Sequence, residues 1–163
     1  MGTSFVTLER TTDGSDRGFW MNDGMLELWL RLLALHLPEP NDLGEHRATP
    51  EIRNRWLLAS RGYFGGCVPH DLEFACGTTE GRYAVRMAIT SLLVELGHSD
   101  LPLDTATINL LGIEGRQFAP IERNCLKDIA HAFLDLLDGQ ITSTAHSTEI
   151  MPGSKSYISS TAK

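Results

Sequence analysis

Cys67, His70 and Cys76 lie within ten residues of one another, in a loop that also carries Asp71. Thiolate and imidazole are zinc ligands, and a thiol beside an imidazole is also the pairing of a cysteine nucleophile with its general base. The spacing C-x2-H-x5-C completes neither chemistry. A structural zinc site takes four ligands, usually as two close pairs. No second pair is present, and the remaining candidates, Cys125 and His131, are far along the chain. No cysteine-hydrolase signature surrounds Cys67. Cys67 and His70 are thus the catalytic candidates, set against a plainer expectation of a buried loop thiol and a partly exposed histidine.

Asp128, His131, Asp135 and Asp138 form the second cluster, at i, i+3, i+7 and i+10. That spacing puts all four on one stripe of a helix. Spread along a helix, they span too far for one ion. A carboxylate-bridged metal site shows Glu-x-x-His on each of two helices, and only one helix here resembles that pattern. The stripe reads as a solvated face or as an acidic docking surface for a basic partner. The chain before Gly139 holds one lysine, Lys127, so these carboxylates are expected to stand unpaired. Tyr63, Phe64 and Asp71, in the loop after the second helix, are the other binding candidates. Neither a metal nor a cofactor is expected.

Other signatures are incomplete. Gly62-Tyr63-Phe64-Gly65-Gly66 lacks the Gly-Lys-Ser/Thr ending of a phosphate loop and follows a helix rather than a strand. Thr107 to Gly112, followed by a helix from Pro120, has the outline of a helix-turn-helix. Its second helix would carry Glu122, Asp128, Asp135 and Asp138 against phosphate. The formal net charge of −7 and the pI near 5.3 argue the same way, against nucleic acid, and fit a basic partner or no charged partner at all.

The elements that must position these residues are helical. Asn22 or Asp23 caps a first helix running to about Leu37, apolar nearly all round, with Glu27, Arg31 and Ala34 as its only water-facing strip. Thr49-Pro50 opens a second helix, with Thr49 as its cap, ending at Gly62. Thr78 or Thr79 starts a third, through Leu96, whose apolar positions include Val85, Ala88, Ile89 and Leu92. Asp104 caps a short one, and Pro120 opens the last, to Asp138. Ser4 to Thr11 alternates weakly and reads as a short strand or arm, followed by turn chemistry at Thr12 to Asp16. Residues 140–163 contain ten Ser or Thr among 24 and have no periodic apolar face. They read as a mostly disordered tail, in which Ile141, Ile150, Met151, Tyr157 and Ile158 are the apolar exceptions that could let part of it lie on the body. The expectation is a single all-α domain over residues 1–139, a compact bundle of four or five helices, with a short N-terminal strand or arm and a disordered tail.

Size and composition agree with one domain: 163 residues, 42% of them hydrophobic. Arginine outnumbers lysine eleven to three, so the positive charge is almost wholly guanidinium. Three cysteines and an N-terminus without an apolar run point to a reducing, cytoplasmic location. The longest apolar stretch, Met25 to Leu37, is broken by Glu27, Arg31 and His36 and is too short for a bilayer, so no membrane association is expected.

Two segments carry a family likeness. One is Trp56-Leu57-Leu58-Ala59-Ser60-Arg61-Gly62-Tyr63-Phe64-Gly65-Gly66-Cys67-Val68-Pro69; the other is Ala132-Phe133-Leu134-Asp135-Leu136-Leu137-Asp138-Gly139-Gln140-Ile141. Together they resemble small bacterial immunity-type proteins of toxin–antitoxin competition loci. The resemblance implies a non-catalytic protein that binds and blocks a toxin, and it assigns no individual functional residue. The functional expectation is protein binding, with a basic toxin domain as the partner. The alternatives are a small enzyme or metal-binding protein using Cys67 and His70, and a structural or regulatory subunit that pairs through a helix face.

Overall fold

The computed structural model describes residues 2–41, 46–61, 66–112 and 119–154. Among them the chain forms a β-hairpin and six helices. Strands β1 (Thr3–Thr7) and β2 (Gly18–Asn22) lead into α1 (Asp23–His36), α2 (Thr49–Ala59), α3 (Leu72–Ala75), α4 (Thr79–Leu96), α5 (Thr105–Leu110) and α6 (Arg123–Leu137). The architecture is helix-dominated, as expected, but a two-stranded antiparallel sheet belongs to it.

The strands pair Thr3 with Asn22 through Thr7 with Gly18. Val6, Phe19 and Met21 are fully buried, while Phe5 and Trp20 face each other on the other side with ring centroids 5.3 Å apart. The connecting loop is held by its own carboxylates. Asp13 accepts hydrogen bonds from the backbone and hydroxyl of Ser15, and Asp16 accepts one from the Thr11 amide. The bonds from Ser15, joined by the Thr11 side chain, hold the Asp13 carboxyl down at about 2. Gly18 is required by close approach, since a Cβ there would lie 2.0 Å from the Val6 carbonyl oxygen.

Helix α1 is the centre of the bundle, packing on α2 and α4, while α4 packs in turn on α6. The Asn22 side chain caps it, accepting from the amides of Gly24 and Met25. Its core side brings Trp29 against Phe133 of α6, centroids 5.4 Å apart, and Phe133 against Phe19 of β2 at 5.5 Å. The expected water-facing strip is corrected: Glu27 is 2% exposed and Ala34 is fully buried, whereas Leu35 stands in solvent. The hairpin and α2 cover a side that an isolated bundle would leave open.

Helix ends depart from expectation where tertiary bonds decide them. Helix α2 is capped by Ala48 and has no side-chain cap; Thr49 lies inside the helix with its hydroxyl buried and unbonded among the described residues. Helix α6 begins at Arg123 rather than Pro120, because Ile121 exchanges backbone hydrogen bonds with Leu103. Arg53 of α2 closes the end of α1, donating to the carbonyls of Ala34 at 3.1 Å and Leu37 at 2.9 Å.

The disordered-tail expectation is corrected for residues 140–154. Ile141 is buried, and the Gly18 amide donates to the Ser143 carbonyl at 2.9 Å. The Trp20 indole N–H donates to the Ala145 carbonyl, also at 2.9 Å. Gly153 passes so close to Ile129 that a Cβ would lie 2.7 Å from its Cδ1. Hydroxyl-rich composition did not prevent ordering, because the free edge of β2 offers backbone partners that need no apolar periodicity. Residues 155–163 of the expected tail lie outside the described residues.

Deleting residues 141–163 should therefore lower the melting temperature by at least about 5 °C. Two or three lost hydrogen bonds at about 1 kcal/mol each, plus the Ile141 contact, account for that shift at this size. A thermal melt followed by circular dichroism reads it, and an unchanged midpoint would mean that the segment does not hold the hairpin. Leu33→Ala and Leu92→Ala, at positions no more than 2% exposed, should each cost about 2–5 kcal/mol in urea unfolding; near-neutral curves would refute the placement of α1 and α4 in the core.

Candidate functional site

The segment from Gly66 to Cys76 joins three elements through His70. The residue is 4% exposed. Nε2 lies 3.0 Å from the Phe5 carbonyl of β1, and Nδ1 lies 3.2 Å from the Leu72 amide of α3. A carbonyl on one nitrogen and an N–H on the other select the neutral ring with its proton on Nε2. The His70 carbonyl accepts from the Trp56 indole of α2 at 2.8 Å. Nearby, the Ser4 hydroxyl accepts from the Val68 amide at 2.8 Å and donates to Asp23 at 2.7 Å.

Burial pushes the His70 imidazole below its ordinary range, against the opposing pull of the Glu73 carboxylate, whose Oε2 is 3.9 Å from Nδ1. The exposure expected of the loop is inverted: Cys67 is exposed and His70 is buried. Both imidazole nitrogens are engaged by backbone groups, which leaves none to serve Cys67 as a base. Cys76 is buried and its thiol is pushed up to about 12 by desolvation, so it stays protonated. Among the described residues no group of three or more His, Cys, Asp or Glu side chains is gathered closely enough to hold a metal ion.

Asp71 takes a left-handed conformation, φ 48°, and pairs with Arg55 at 3.3 Å while Arg55 also lies over the Phe74 ring. Tyr63 and Phe64 lie outside the described residues.

The acidic stripe on α6 is real as a stripe but not as a row of free carboxylates. Asp138 is paired with Arg86 of α4, which corrects the expectation that nothing neutralises it. The guanidinium comes from a neighbouring helix, beyond what a count of nearby lysines could show. Asp128 is half-buried, and desolvation raises its carboxyl against the opposing influence of His131. His131 and Asp135 remain exposed, one turn apart.

A feature that the sequence reading missed lies on α4. Tyr83, Met87, Thr90 and Val94 follow at i, i+4, i+7 and i+11 and form a single ridge. The ridge is opposite the buried side of Val85, Ala88, Ile89, Leu92 and Leu96. Tyr83 is 56% exposed, Met87 39% and Val94 59%. The His46 ring stacks on Tyr83 at one end, centroids 6.2 Å apart. Arg86 and Asp138 tie the start of α4 to the end of α6 beside this ridge, and Arg82 reinforces the joint by donating to the Leu137 carbonyl at 3.3 Å. The signal was present as a second apolar periodicity in α4, hidden because the core-facing one is stronger.

The described residues therefore define a helical domain with an N-terminal hairpin, a structural histidine where chemistry was sought, and an apolar outer helix face. Comparison with family models, with curated proteins and with solved structures gives no match. No helix among the described residues is long and apolar enough to cross a membrane.

His70 gives a pH dependence whose sign is fixed by its burial. The unfolded chain takes up a proton below about pH 6.5 that the folded chain resists. Stability is thus full above that pH and falls on acidification, by at most about 1.4 kcal/mol per pH unit for one proton. Urea unfolding at pH 7 and pH 5 should show a smaller loss in His70→Gln than in wild type, although the variant is less stable at pH 7. Equal losses in both proteins would show that His70 does not resist protonation in the folded state.

Proposed function

We propose that this chain is a non-catalytic protein-binding domain that docks its partner on the outer ridge of α4, and that the partner is a toxin or effector which it blocks by occlusion. The ridge carries the reading. The outward side of a surface helix is ordinarily polar. Here Tyr83, Met87 and Val94 occupy it, while charged Glu80, Arg82, Arg86 and Glu95 lie to its sides. Tyrosine and methionine are enriched in protein interfaces, where a buried apolar centre is ringed by polar groups.

The charge of the chain supports a basic partner. A formal net charge of −7, with Asp135 exposed on the helix that packs beside α4, would speed encounter with a positive surface at low salt. The likeness of Trp56–Pro69 and Ala132–Ile141 to immunity-type proteins supplies the kind of partner. The engagement of both His70 nitrogens favours this reading over a cysteine–histidine enzyme.

The experiment is a protection assay. Cells expressing the product of the neighbouring gene are scored for growth with wild-type chain and with Met87→Glu/Val94→Glu. Both positions are solvent-exposed, so the double variant should melt within a few degrees of wild type. Wild type should restore growth, and the variant should lose most of that protection and bind the toxin at least about a hundredfold more weakly, as expected when charges are placed in an apolar interface centre. Full protection by the folded variant would overturn the ridge as the docking face. Toxicity that wild type does not relieve would overturn the immunity reading.

A further inference from the structure

A second surface feature lies away from that ridge. The loop after β1, the start of α4 and the end of α6 enclose a cleft of about 460 Å³. This is the size of a small-molecule site, for which about 300–1,000 Å³ is usual. Its apolar side is made by Leu8, Leu136, Leu137 and Ile141. Its polar side holds two guanidiniums, Arg17 and Arg82, with the Glu9 carboxylate and the Thr11 and Ser15 hydroxyls.

Four other arginines are neutralised in place, and the two in the cleft are not. Arg10, Arg53, Arg55 and Arg86 each face a carboxylate. Arg82 donates one N–H to the Leu137 carbonyl and has no carboxylate partner among the described residues. Arg17 is exposed, and its guanidinium has neither an ion pair nor a hydrogen bond among them. The loop carboxylates are oriented toward the loop itself, Asp13 on Ser15 and Asp16 on the Thr11 amide, and neither forms an ion pair with Arg17 among the described residues. The cleft thus offers two positive forks against one carboxylate, in a chain whose overall charge is negative.

We infer that this cleft is a binding site for a small carboxylic acid carrying a short alkyl chain. The carboxylate takes the N–H groups of Arg17 and Arg82, whose planar forks match its two oxygens. The chain lies on Leu8, Leu136, Leu137 and Ile141. Glu9 lines the same cleft and disfavours a second negative charge on the ligand, which selects a monoacid over a diacid. Asp13 and Asp16 act in the same direction from the loop.

The test is calorimetric titration of the full chain with acetate, butanoate and hexanoate, with hexanol and inorganic phosphate as comparisons. Saturable binding of hexanoate is expected, with affinity rising about fourfold per methylene buried. Hexanol lacks the charge and phosphate lacks the chain, so each should bind at least about tenfold more weakly than hexanoate. Arg17→Ala removes a side chain with no partner in the protein and should keep its melting temperature, while weakening hexanoate at least about tenfold. Arg82→Gln should act in the same direction; because Arg82 also flanks the α4 ridge and bonds the Leu137 carbonyl, Arg17→Ala is the variant that separates this site from the ridge. Absence of saturable hexanoate binding at millimolar concentration, affinity that does not rise with chain length, equal affinity for either comparison compound, or unchanged affinity in folded Arg17→Ala would overturn the site.

Discussion

The imidazole of His70 is the constraint on which the arrangement of the hairpin against the helices depends. An imidazole has one donor and one acceptor when neutral, and here both are used on backbone groups of different elements. The Phe5 carbonyl and the Leu72 amide would otherwise be polar groups without these partners in a largely apolar setting, each costly to leave unmade. The residue's own carbonyl then takes the Trp56 indole. One side chain and one peptide oxygen thus fasten β1, α2 and α3 together. The ring must stay neutral to do so, because a second proton on Nδ1 would meet the Leu72 N–H. A residue type that first suggests catalysis is here held inert by the same hydrogen bonds that make it structurally useful.

The preference for arginine has a structural cause visible in the bonds. Four guanidiniums reach backbone carbonyls at helix ends and loops: Arg53 those of Ala34 and Leu37, Arg82 that of Leu137, Arg31 that of Gly112, and Arg123 that of Leu101. The last carbonyls of a helix lack intrahelical partners. A planar fork with five N–H groups can satisfy two of them while also meeting a carboxylate, as Arg53 does with Glu39. A lysine ammonium presents a single point, with three donors about one nitrogen. Eleven arginines to three lysines is therefore the composition of a fold that stitches its helix ends with side chains.

Much of the helical framework was legible in the sequence. The caps at Thr78 and Asp104 and the stop at Gly97 are local signals, and the core face of α4 follows from its period. What was not legible depended on partners distant in the chain. Strand β2 has only five residues and runs directly into α1, so its Phe19 and Met21 read as the approach to a helix. Glu27 and Ala34 sit on the polar strip of an isolated α1, and only the neighbouring elements bury them. Residues 141–145 have no apolar pattern because their role is to complete a strand edge. For the candidate site, the sequence brought Cys67, His70 and Asp138 into view but not their partners, and those partners decide what each can do.

The segment that closes β2 has a kinetic meaning. Trp20 and Ala145 are 125 residues apart, as are Gly18 and Ser143. During synthesis the hairpin emerges 125 residues before its edge partner, so its strands wait for all the intervening helices before their backbone groups are matched. Contacts between such distant residues carry a high loop-closure cost and belong late in folding. A bond made after the transition state does little to hasten folding but must be broken before the chain can open, so it lengthens the lifetime of the native state. By that separation, the segment around Ser143 and Ala145 is placed to close over the hairpin as a latch rather than to nucleate it.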